Sequence, residues 1–209
     1  MDRRTLDQIQ RHLKGYRREK QSRIGQQDLP RLWLFTDPVK MPDLAAVLNT
    51  LPRPCGIGVV IRAQSREQEM TWIRSAQRAM KTRRIAGYLV RWSPWQQNYC
   101  PGQLGWHVTT KSPPLSVSTI KLNVIVSGTW HPRTEPFSQT HRAPQKSLLF
   151  VSAVNQTTSH PNQATLGAVR YRLVYQWIKQ RAVALGGVTT ATYKGLPQHS
   201  SAAGIDLFC

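Results

Sequence analysis

GIGVVIRAQSREQEMTWIRSAQRAMKTRRIAGYLVRW, residues 56–92, contains one full unit of the pattern that runs through the chain. GIGVVIR (Gly56 to Arg62) is an unbroken apolar run, too continuous for a strand with one wet face. In REQEMTWIRSAQRAMKTRR (Arg66 to Arg84) the period changes: Met70, Ile73 and Ala76 recur at helical spacing with cations between them. IAGYLVRW (Ile85 to Trp92) returns to an apolar run. A strand, a crossover helix and a second strand, both strands covered on both faces, make the unit of a parallel sheet.

The same alternation extends in both directions. Upstream, RLWLFTD (Arg31 to Asp37) reads as a strand between Pro30 and Pro38, and DLAAVLNTL (Asp43 to Leu51) as a helix. Downstream, strands are predicted at Gly105 to Thr110, Lys121 to Ser127, Ser147 to Val154, Ala182 to Val188 and Ala202 to Phe208. A helix is predicted at Leu166 to Gln180, and a short one before the final strand. Pro132, Pro136 and Pro144 argue against a regular helix between Thr129 and Gln145. Eight such units predict an α/β fold, a (β/α)8 TIM barrel with parallel strands and some crossover helices short or irregular. An open doubly wound sheet is the structural alternative. No GxGxxG follows the first strand, so a dinucleotide fold has no positive support.

Composition narrows the function classes. The 209 residues carry 29 Lys plus Arg against 10 Asp plus Glu, a net charge of +19. Such a charge calls for a polyanionic partner or for many solvated helix faces. Hydrophobic residues make up 40% of the chain, enough for a core, so disorder is excluded. No apolar run approaches the length of a membrane helix, and the basic start shows no signal-peptide core. Cys55, Cys100 and Cys209 form no CxxC pair, against a disulfide framework or a structural zinc site. A cytoplasmic setting is expected. Residues 1–28, with Leu6, Ile9 and Leu13 at helical spacing among cations, read as a basic amphipathic leader helix before a barrel spanning 29–209.

In such a barrel, function gathers at the C-terminal ends of the strands. Two of these ends are suggestive. TTSHP (Thr157 to Pro161) places hydroxyls and a histidine on one loop, and Gly186–Gly187 offers backbone N–H groups with no Cβ in the way. Together they make an anion cradle; separately, Gly-Gly is also an ordinary tight turn. Trp92 and Trp95 suit stacking on a heterocycle, or packing across the barrel mouth. No nucleic-acid-binding signature is readable, so nucleic acid is not the expected partner.

These residues resemble a family. FVSAVNQTTSHPNQATLGAVRY (Phe150 to Tyr171) is similar to the phosphate loop of the thiamine-phosphate synthase and thiazole tautomerase (TenI-type) family. ALGGV (Ala184 to Val188), the GIDLF ending, LPRLWLFTD (Leu29 to Asp37) and VVIR (Val59 to Arg62) also look like that family. The resemblance implies a barrel that binds a phosphorylated thiazole or pyrimidine ligand. In the synthase, the thiazole attacks a hydroxymethylpyrimidine whose pyrophosphate leaves. Carried over by position, Thr157, Ser159, His160, Gly186 and Gly187 bind phosphate, and Arg62 sits at the pyrophosphate end. His131, after the fifth strand, falls near the acid/base histidine of the tautomerase; an exposed loop histidine is its other reading. His107, in GWHV, reads as structural.

Several departures concern the metal. The family's lysine two residues after the arginine is Gln64 here. RWSPWQQ (Arg91 to Gln97) and VTTKS (Val108 to Ser112) lack the carboxylates that the family uses for magnesium. No metal ligand is therefore assigned, and Mg2+ is a family expectation without its Asp ligands. Arg62, Arg91 and Lys111 are the cations in place of it. Four readings stay open: synthase, thiazole tautomerase, a catalytically degenerate phosphate-binding barrel, and a basic nucleic-acid-binding protein.

Overall fold

The computed structural model describes residues 30–51, 56–82, 85–91, 105–108, 125–130, 148–157, 161–162, 164–178, 182–198 and 200–205. The leader helix expected over residues 1–28 lies outside them. Eight strands follow one another around a closed barrel: β1 Leu32–Phe35, β2 Ile57–Ile61, β3 Gly87–Arg91, β4 Gly105–Val108, β5 Ile125–Trp130, β6 Leu148–Val151, β7 Ala182–Leu185 and β8 Ser201–Gly204. Every neighbouring pair is parallel, and β8 closes on β1 through Ala202↔Leu32 and Ala203↔Trp33. The barrel is thus the (β/α)8 architecture read from the alternating runs, and the open sheet is excluded.

Four helices are described: α1 Leu44–Thr50, α2 Arg66–Lys81, α3 Gly167–Ile178 and α4 Thr190–Tyr193. Local chemistry fixes their starts. Asp43 caps α1 by accepting from the Ala46 N–H, and Ser65 caps α2 by accepting from Gln68 N–H. In α2, Glu67 and Glu69 occupy the first turn, and Arg78 and Lys81 the last, each sign opposing the helix dipole. Trp72, Ile73, Ala76 and Ala79 form its buried face. α4 is only one turn long, in line with the short crossovers expected, and Thr189 closes it with a capping box to Thr192.

Pleating divides the strands between two apolar cores. Leu32, Leu34, Ile57, Val59, Tyr88 and Val90 face the helices. Trp33, Phe35, Val60, Leu89, Leu148, Phe150, Val183 and Ala203 fill the lumen. A Cβ on Gly58 would lie 2.5 Å from Trp33 ring atoms, so this glycine makes room for the lumen's largest side chain.

β5 departs from expectation. The apolar pattern of KLNVIVS predicts a strand over 121–127; residues 121–124 lie outside the described residues, and β5, Ile125–Trp130, continues past the expected end. Ser127 and Thr129 ended the apolar run, but both bond to His107 and need no solvent. β8 runs Ser201–Gly204, and Asp206 to Phe208 of the strand expected there lie outside the described residues.

Candidate functional site

The loop after β6 and the turn after β7 are sewn together by main chain. Val154 N–H donates to the Leu185 carbonyl at 2.9 Å, and Asn155 N–H to the Gly186 carbonyl at 3.0 Å. The Asn155 carboxamide adds a bond to the Gly187 carbonyl at 3.2 Å, and the Thr192 hydroxyl another at 3.3 Å. Gly186 and Gly187 have φ of +88° and +59°, the left-handed region that glycine enters freely. A Cβ on Gly187 would collide with the Gln156 carbonyl oxygen and fall 2.7 Å from the Asn155 carbonyl carbon. The second glycine is therefore demanded by both conformation and contact.

This arrangement seats Asn155 and Gln156 against the Gly186–Gly187 turn at the C-terminal end of β6 and β7, with Thr157 next in the chain. Leu166 N–H and Gly167 N–H return to the Ala153 and Val154 carbonyls, so the loop closes on its own base. The Gln156 amide donates to the Pro161 carbonyl at 2.6 Å across it. Of the residues read as a phosphate cradle, Gly186 and Gly187 form the turn that meets Asn155 and Gln156, and Thr157 is the residue after Gln156. Ser159 and His160 lie outside the described residues, as do His131, Lys111, Asp206, Trp92 and Trp95.

Arg62 follows β2 at the same end of the barrel and is exposed. Its N–H donates to Thr36 Oγ1 at 2.8 Å, tying the ends of β1 and β2 together. The guanidinium carbon lies 6.0 Å from the centroid of Phe35, within reach of a cation–π attraction. Below it, Phe35, Phe150 and His107 meet edge to face, with centroids 5.0–5.3 Å apart. The mouth therefore has an aromatic floor with a cation above one edge.

His107 is buried, with Nδ1 2.9 Å from Ser127 Oγ and Nε2 3.2 Å from Thr129 Oγ1. Its structural reading is supported, but its hydroxyl partners were not among the predicted site residues. The alternation of Ser127 and Thr129 along a lumen-facing strand was the signal available for them.

Among the described residues the donor set does not fit magnesium. Among the described residues no group of three His, Cys, Asp or Glu converges on one point. Asp37, the described carboxylate nearest the end of β1, spends Oδ1 on the Val39 and Lys40 N–H groups at 2.9 and 3.1 Å. That carboxylate closes an Asx-type turn, and the two stretches where the family carries its ligands have none.

No family model and no curated protein sequence matches the chain. Among solved structures, thiamine phosphate pyrophosphorylase from Pyrococcus furiosus is similar, with a TM-score of 0.65 over 84% of this chain and 85% of that one, at 13% sequence identity. At that identity the likeness establishes the barrel fold. No helix among the described residues is long and apolar enough to cross a membrane.

Proposed function

We propose that the chain is a thiamine-phosphate-synthase-like barrel whose mouth holds a phosphorylated thiazole or pyrimidine. The observation that carries this reading is the Gly186–Gly187 turn locked against the Thr157 loop. Backbone N–H groups there, together with the Thr157 hydroxyl, suit a phosphate monoester. Ser159 and His160 complete the cradle in the same proposal. Arg62, over the aromatic floor, is the cation for a second anionic group such as a departing pyrophosphate. Coupling through this site proceeds on side-chain cations, since among the described residues the donor set does not fit magnesium. Residues 1–28 form an accessory basic leader to the barrel.

A second reading is thiazole tautomerisation, with His131 as its acid/base group. His131 follows Trp130, the last described residue of β5, in sequence, and is the proton-handling group of this reading. One acid/base and a phosphate anchor suffice for that reaction.

Calorimetric titration of thiazole phosphate against wild type and Thr157→Val tests the anchor, with folding checked by circular dichroism. Gly187→Asp is a poor choice, because its Cβ collides with Gln156. Binding is expected to weaken about 10- to 150-fold in Thr157→Val, the value of one hydrogen bond to a charged group. Unchanged affinity places the phosphate elsewhere. Coupling and tautomerisation assays, each with and without a chelator, then separate the two reactions.

A further inference from the structure

The lumen holds a chain of polar contacts whose direction can be worked out. Ser127 Oγ lies 2.9 Å from His107 Nδ1 and 3.5 Å from the Trp106 carbonyl oxygen. His107 Nε2 lies 3.2 Å from Thr129 Oγ1. A neutral imidazole has one N–H and one bare nitrogen, and each hydroxyl has one proton. When Ser127 gives its proton to the Trp106 carbonyl, His107 must donate from Nδ1. Nε2 is then bare and accepts from Thr129. Every contact in the chain is served in this sense. In the reverse sense Ser127 spends its proton on Nδ1, and the contact to the carbonyl is left without one. The first sense makes three hydrogen bonds and the reverse two, so the count favours the first.

Ser127 and His107 are buried, whereas Thr129 is half-buried near the end of β5. Thr129 is therefore the member of the chain within reach of a ligand, and its proton is already committed inward. We propose that Thr129 is a specificity-determining residue: its oxygen offers only lone pairs to the mouth and selects a ligand presenting an N–H donor. His107 and Ser127 are positioning residues that act through it. The proposal rests on the barrel mouth being the ligand site, as argued above. It adds the polarity of the ligand face that meets β5.

The test has two arms. In the first, long-range nitrogen–proton correlation spectra of the ligand-free, 15N-labelled protein read the His107 tautomer. The Nδ1–H form is expected; the Nε2–H form, which frees the Thr129 proton for the mouth, overturns the proposal. In the second, an aminopyrimidine phosphate ester is compared with its analogue carrying methyl in place of the amino group. Wild type is expected to prefer the amine by about 2- to 10-fold, the worth of one partly exposed hydrogen bond. Thr129→Ser should keep the preference and Thr129→Val should lose it. A preference that survives in Thr129→Val overturns the proposal. Binding of inorganic phosphate but of neither pyrimidine also overturns it while leaving the phosphate site standing. If inorganic phosphate fails to bind too, the proposed function falls, and the tautomer alone decides the direction of the chain.

Discussion

The Asn155 carboxamide donates to the Gly187 carbonyl at 3.2 Å, joining residues 32 apart in sequence at the base of the phosphate loop. Asn155 N–H meanwhile holds the Gly186 carbonyl. With both carbonyls of the Gly-Gly pair engaged by one residue, the peptide planes of the turn are fixed. A ligand meeting that turn loses little to its reorganisation.

Gly187→Ala tests how tightly the clamp is built. A left-handed φ costs an L-residue about 1–2 kcal/mol, and overpacking against fixed backbone roughly 1–3 kcal/mol more. For a domain of this size each kcal/mol moves the melting temperature about 2–4 °C, so a drop of roughly 4–20 °C is expected. A melting temperature within about 2 °C of wild type would show that the loop yields and that the clamp is loose.

The lumen offers a second packing test. Gly58→Ala places a methyl 2.5 Å from Trp33, whose indole Nε1 donates to the Pro30 carbonyl at 2.8 Å and cannot shift without breaking that bond. Destabilisation of about 1–3 kcal/mol is expected. Trp33→Phe in the same chain should recover part of it, because the smaller ring leaves room. Chemical denaturation of both single variants and the double variant measures the coupling; strict additivity would mean that the two sites do not compete for space.

Much of the barrel was legible because strands covered on both faces are written as unbroken apolar runs. RLWLFTD, GIGVVIR and AVALGGV gave β1, β2 and β7 to within a few residues. The helix ending Met80–Lys81 was equally plain, since its cap, acidic first turn and basic last turn agree. The end of β5 was set too early because apolarity stood in for burial: Ser127 and Thr129 are polar, yet both bond to His107 inside the lumen. The Gly-Gly turn was visible, but what demands it was not. Contact of Gly187 with Gln156 joins β6 to β7, and no local pattern encodes a neighbour across the barrel. The Thr36–Arg62 tie and the aromatic floor of Phe35, Phe150 and His107 were hidden for the same reason.

Alkaline pH should destabilise the fold. Burial raises the Tyr171 phenol well above its ordinary value. Burial also raises Tyr175 and Tyr193, each against an opposing pull from the Arg31 cation. The folded state thus holds these protons where the unfolded chain releases them. Stability from this source is fully present below the unfolded phenol pKa of about 10 and is lost as pH climbs above it. Among the described residues neither the Tyr171 hydroxyl nor Ser200 Oγ forms a well-aligned hydrogen bond, although Ser200 lies beside the phenol and partly offsets the upward shift. Tyr171→Phe should therefore be nearly neutral at pH 7, within about 1 kcal/mol, and should flatten the loss above pH 10. Denaturation midpoints between about pH 8 and 11 measure both. A loss of stability at pH 7 of about 2 kcal/mol or more would show that the hydroxyl has a partner after all.

The net charge of +19 makes a last prediction, about polyanions. On α2, Arg74, Arg78 and Lys81 recur at helical spacing and are exposed, so one face offers three cations to a phosphate backbone. A duplex held by that face alone should bind weakly, with log K falling against log salt at a slope of about −3, near 0.9 per phosphate contact. Fluorescence anisotropy on labelled duplexes at several salt concentrations measures the slope, with and without residues 1–25. A slope of roughly −6 to −10, together with tight binding that survives moderate salt and prefers one sequence, would sink the metabolic reading of the charge. Loss of binding only on removal of residues 1–25 would instead assign it to the leader. Neither is expected: the leader mixes Asp2, Asp7 and Glu19 with its cations, and Tyr16 is its one aromatic residue, too few for stacking on successive bases.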